Sequence, residues 1–169
     1  MINPATALML ARYKAWADEL FFAGVAALPP GEVVKERPGI FKNMIGTLNH
    51  NLLVDLIWQA HLEHRDHGFK SRNEVLHPLL TDLWNAQRSM DEWFVAWSER
   101  QTDDSLAESI AFTFVSGDPG VMTAGEMFLH LVIHSGYHRG WVVQMFFEAG
   151  IRPPITDLPV YLCGGATPC

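Results

Sequence analysis

Three histidines recur at intervals of four in the stretch HLVIHSGYHRG, at His130, His134 and His138. The chain has eight histidines in all, so this one stretch is enriched in them. Residues i and i+4 share a helix face, with Cβ atoms about 5–6 Å apart. Two such imidazoles can therefore converge on one ion, at metal–nitrogen distances of about 2.0–2.1 Å for zinc. Spacing alone leaves open whether His130 pairs with His134 or His134 with His138. Two ligands are too few for a stable site, and the third must come from another helix. His50, in IGTLNHNLLVDLIW, lies in the middle of a second apolar helical pattern and is the candidate; bundle cores build metal sites from facing helices in this way. A single histidine on a helix is more often a surface or satisfied core residue. Three aligned imidazoles in an apolar segment are harder to place so, because they give up apolar area and need partners.

Three neutral imidazoles would leave a divalent ion its full charge and at least one open position, which is the arrangement of a catalytic site. Water bound there has its pKa lowered toward about 7, and an incoming thiol is held as thiolate. Imidazole suits zinc and nickel, with iron, copper or manganese as further choices. Binding should weaken below the free histidine pKa of about 6.5, since protonated imidazole cannot coordinate. No general base stands out beside the ligands. Asp55 lies five residues after His50, about 140° round the helix, and Glu126 lies two turns before His134 and about 80° round. A rival histidine set, His61, His64 and His67 in HLEHRDH, sits at a polar helix end among Glu63, Arg65 and Asp66. A solvated loop is its simpler reading, with lining the mouth of a pocket as the alternative. His77, before Pro78, reads as a helix-start residue.

Four long helical patterns position these residues. They run over about Pro4–Leu28, Ile40–His64, Val75–Ser98 and Ala124–Ala149, each with apolar residues at spacings of three and four. LPPGE stops the first, because Pro29 and Pro30 cannot continue a helix. Between the third and fourth, SIAFTFVSGDPGVMT sets β-branched and aromatic residues around the turn cluster SGDPG, which predicts a short hairpin. Thr123 with Glu126 three residues on predicts a capping box, and Gly150 a left-handed stop. The expected fold is all-α, a four-helix bundle with a small β-hairpin before its fourth long helix.

The 169 residues suit one domain, residues 1–169, ending in a short tail. Apolar residues make up 49 % of the chain, enough for a real core. The net charge of -7, with twelve scattered basic residues, disfavours a nucleic-acid partner. No apolar run reaches the ~18 residues of a membrane span, and the opening residues lack the regions of a signal peptide; the expectation is a cytoplasmic protein. Cys163 and Cys169 lie in a Gly/Pro-rich tail and suggest two thiols rather than a disulfide framework. The six tryptophans read mostly as core and interface filler.

The stretch HLVIHSGYHRGWVVQMFFEAGIRPPITDLPVYL resembles the signature of the DinB-like (DNA-damage-inducible) superfamily of four-helix bundles. The match falls on His134, His138-Arg139-Gly140, Gly150, Pro153-Pro154 and Asp157-Leu158. ARYKAWADEL is similar to the family's opening at Tyr13 and Trp16, and LNHNLLVDLIW holds His50 where the family places its first histidine. The resemblance covers nearly the whole chain, and its most specific part is His-x-x-x-His-Arg-Gly. It implies one divalent ion held by His50, His134 and His138, an open coordination position, a homodimer and a long crossover connection. His130 then lies beside the site or merely lines the bundle. Relatives implied by the resemblance include thiol-dependent transferases and isomerases, so a thiol cosubstrate is expected, with a thiol S-transferase or a hydrolase as the reaction type. The alternative is a non-catalytic metal-binding bundle for stress response or interaction. Arg139 is expected to bridge Asp157 or another carboxylate and dock the tail, in preference to binding an anionic substrate. One departure stands out: the family commonly has Gln after His-Arg-Gly, and this chain has Trp141.

Overall fold

Asn3 starts the first helix. Its side-chain oxygen accepts the Thr6 N–H at 2.9 Å, and Pro4 takes the first helical position, where its missing N–H costs nothing. Helix α1 then runs Pro4–Ala26, in a computed structural model that describes residues 2–164; Cys169 lies outside them. Helix α2, Met44–Leu62, begins later than the pattern from Ile40 suggests. Lys42 holds a left-handed φ of 62°, Asn43 takes the cap and accepts the Gly46 N–H at 2.8 Å, and Ile40 is exposed.

Helix α3, Leu80–Glu99, also starts late. Pro78 disfavours helix at the residue before it. Asn49 of α2 engages both backbone groups of His77, accepting its N–H at 2.8 Å and donating to its carbonyl at 2.9 Å. His77 therefore lies in a strap that crosses α2 and does not start a helix. A five-residue α4, Asp103–Ala107, precedes the hairpin of β1, Ser109–Thr113, and β2, Pro119–Thr123, paired antiparallel with Ser109 opposite Thr123. Thr123 and Glu126 form the expected capping box at the head of α5, Ala124–Glu148. Gly150 takes φ 72° beyond its end, and α6, Leu158–Leu162, closes the described chain. The fold is the expected all-α bundle with a small hairpin. Among the described residues, no helix is long and apolar enough to cross a membrane.

Helix α1 packs beside α3 and α5, and α2 beside those same two helices, so α1 and α2 face each other across the diagonal. The connection over residues 27–43 spans that diagonal. Phe21, Leu52, Leu83, Phe94, Phe128 and Phe146 fill the centre. Through this apolar core runs a buried ionic junction drawn from all four long helices. Lys14 Nζ lies 2.9 Å from Asp18, 2.8 Å from Asp55 and 2.6 Å from Asp91. Gln87 donates to Asp55 and Asp91, and Arg139 donates to Asp18 at 2.9 Å and to Ser135 Oγ at 2.7 Å. The tail docks on α1, where Gly24 leaves room for Pro154 that a Cβ would occupy. Tyr13 donates its hydroxyl to the Thr156 carbonyl at 2.8 Å.

Candidate metal centre

His50 sits near the start of α2, and His134 and His138 sit one turn apart on α5, which packs against α2. Their candidate ligand atoms all lie within 4.8 Å of one another. His50 Nε2 is 3.2 Å from His134 Nε2. Two nitrogens bound tetrahedrally at about 2.1 Å stand about 3.4 Å apart, so this spacing suits a shared ion. The ring centroid of His138 is 4.6 Å from that of His50 and 4.4 Å from that of His134.

The polar environment fits the same use. His50 Nδ1–H donates to the Arg72 carbonyl at 2.7 Å, a bond that fixes the tautomer and leaves the Nε2 lone pair facing the other rings. Nδ1 of His134 and of His138 are buried without a hydrogen-bond partner. Burial holds all three imidazoles in the neutral, ligating form. His134 is pushed down to about 2 by burial and by the charges of His138, His50, His130 and Lys14, and His138 to about 4 by burial and His50. His50 is lowered by burial, against the pull of its bond to Arg72. Aromatic rings brace the set: Phe41 stacks on His50 at 4.3 Å and meets His138 edge-on, and Trp141 meets His138 at 5.0 Å. Trp141 thus forms part of the wall behind His138.

A cavity of about 260 Å³ opens over the triad. Val54, Ile57 and Trp58 of α2 and Phe112, Phe114 and Val115 of the hairpin wall it, and His61, His130 and Arg72 also line it. None of its lining residues is acidic. His130 lies one turn before the pair, its ring 5.5 Å from that of His134 and 5.0 Å from Trp58; it faces the cavity and stays outside the ligand cluster.

Residues 1–165 match the DinB family. The chain belongs to that family. It is 28 % identical over 163 residues to Protein DinB of Bacillus subtilis strain 168, across 92 % of this chain and 93 % of that protein. Its fold is similar to the crystal structure of a DinB-like protein from Bacillus cereus ATCC 10987, with a TM-score of 0.60 at 18 % identity, over 86 % of this chain and 94 % of that one. The DinB signature residues divide by role in this fold. His134 and His138 turn toward the cavity, whereas Arg139 turns away into the ionic junction. Its partner is Asp18 rather than Asp157, and Tyr13, 3.4 Å from its Nη2, links it to the tail through the Thr156 carbonyl.

Other candidates resolve less evenly. Asp55 is consumed by Lys14 and Gln87, and Glu126 by its cap. Among the described residues the rival histidines form no group of candidate metal ligands. His61 is buried against Trp58 and Phe112 and reaches the cavity, which corrects its reading as solvated loop. His64 and His67 line a second surface depression, which His61 also lines with its ring 5.4 Å from that of His67. Sequence reasoning missed Phe41, Arg72 and the hairpin phenylalanines. The last pair had a signal: Phe112 and Phe114 alternate in FTFV and so share a face of the strand line.

Proposed function

We propose that the chain is a metal-dependent enzyme, of thiol S-transferase or hydrolase type, working as a cytoplasmic homodimer. His50, His134 and His138 hold the ion, zinc or nickel in first place. One observation carries the reading: the three-histidine cluster forms the floor of a walled cavity. A site closed by protein ligands would serve structure, but no cysteine, aspartate or glutamate joins this cluster among the described residues. A divalent ion there supplies Lewis acidity and lowers the pKa of a bound thiol or water. The chain's own groups do the rest. Trp58, Phe112 and Phe114 exclude water from the reacting atoms, and Arg72 and Phe41 hold His50 in its ligating tautomer and orientation.

The face offered to a second copy is the groove between α1 and α3, of about 1100 Å³, with Trp16, Phe22, Trp84 and Val95 in its walls. It lies apart from the histidine cavity. The test of the activity is a matrix of low-molecular-weight thiols against electrophiles, with activated esters as the hydrolase arm, read by mass spectrometry. Turnover that vanishes on chelation and in His138→Ala is expected. A protein that binds its ion tightly and turns over no pair supports the non-catalytic alternative.

A further inference from the structure

The cavity over the triad has an uneven chemistry. Its walls are aliphatic and aromatic, and its one permanently charged side chain is that of Arg72. The chain as a whole is acidic, so an anion is drawn to this cavity only by a local cation. The other cationic side chains near the site are spent. Lys14 is enclosed by three carboxylates, and Arg139 is bound to Asp18 and Ser135. Arg72 is exposed, and no carboxylate among the described residues forms an ion pair with it. Its carbonyl is held over His50 at 2.7 Å, which ties its backbone to the cavity.

We infer that this cavity takes a small ligand with an apolar body and one anionic end, and that Arg72 is the residue that selects the anion. The volume of about 260 Å³ falls just below the ~300–1,000 Å³ usual for small-molecule sites, so the ligand is compact. Trp58, Phe112 and Phe114 bury its body. The guanidinium, with its fork of donors, pairs a carboxylate or a phosphate at the mouth. The inference rests on the reading of this cavity as a substrate site, but not on the identity of the ion.

The experiment measures binding of 3-phenylpropionate, 3-phenylpropanol and 3-phenylpropylamine by titration calorimetry, on the metal-loaded protein and after chelation. The acid should bind about tenfold tighter than the alcohol, the scale of one hydrogen-bonded charge pair, and the amine weakest. Arg72→Gln should erase the preference for the acid, and Arg72→Glu should turn it toward the amine. Chelation should leave the Arg72-dependent preference in place. Equal affinities, no binding of any of the three, or a preference untouched by Arg72→Gln overturns the inference. A preference that disappears on chelation and ignores Arg72 assigns the anion to the metal and overturns it equally. A chain that takes up no metal but keeps the Arg72-dependent preference refutes the metal reading and upholds this one. Thermal midpoints of the variants check that exposed Arg72 contributes nothing to folding.

Discussion

His50 is gripped from two sides, by the Arg72 carbonyl on Nδ1 and by the stacked ring of Phe41. Loss of outer support around a metal ligand commonly costs about 10–100-fold in affinity, so Phe41→Ala should weaken metal binding by that order without changing its stoichiometry. Competition against a chromophoric chelator measures this, and an unchanged affinity would show that the stack is incidental. The pH dependence follows from the depressed histidines. Protons compete for His138 only near pH 4 and for His134 lower still. Binding should therefore persist below the pH of about 6.5 that free imidazole suggests and fade as pH falls toward 4; chelator competition at stepped pH reads the midpoint. The ligand histidines were legible because helical spacing is local and His50 stands in the middle of an apolar helical pattern; choosing His138 over His130 took the family resemblance. Arg72 and Phe41 were not legible, since loop side chains are placed by the elements they cross and carry no period.

Each long helix contributes to the ionic junction, which makes it the joint of the bundle. Three carboxylates there, Asp18, Asp55 and Asp91, face two cations, Lys14 and Arg139, an excess of one negative charge. Asp91 answers by holding its proton, its pKa pushed up to about 7 by burial against the pull of Lys14. Removing one partner of a buried pair costs about 3–5 kcal/mol, so Lys14→Met should lower stability by that order in denaturant titration. Asp91→Asn should be mild, and its effect should depend on pH. An acid with a raised folded pKa contributes stability below its unfolded pKa, near 3.8, and loses it as pH rises through about 7. Asp91→Asn should therefore gain on the parent protein as pH rises from about 4 to about 7 and level off above that; a difference constant across that range would remove Asp91 as the proton holder. The four long helices and the hairpin were legible from periodicity and turn residues. Helices α4 and α6 were not, because five residues barely exceed one period. The late starts of α2 and α3 came from a left-handed Lys42 and from Asn49 holding the strap at His77, contacts that local pattern does not encode.

For the whole molecule, five histidines, His50, His61, His130, His134 and His138, are depressed by burial. Below about pH 6.5 the unfolded chain binds protons that the folded chain refuses, so stability should rise with pH from 4 to 6.5. Asp55 and Asp91 are raised and act in the opposite sense, but the histidines outnumber them. Thermal unfolding of metal-free protein across that range tests the sign, and a falling midpoint would contradict it. The proposed homodimer should bury more than about 1,000 Å², and light scattering that finds only a 19.0 kDa species at micromolar concentration would count against it. The central claim is that one ion joins α2 to α5 through His50, His134 and His138. Ligand at a hundred times its Kd adds about 2.7 kcal/mol, or roughly 5–10 °C for a chain of this size. The decisive measurement is metal content with thermal shift in zinc or nickel across single alanine variants. One ion per chain and the full shift should survive His64→Ala, His67→Ala and His130→Ala, and both should be lost in His50→Ala, His134→Ala and His138→Ala. Binding that persists in His138→Ala but disappears in His130→Ala, or disappears only when His61, His64 or His67 is replaced, would contradict the account.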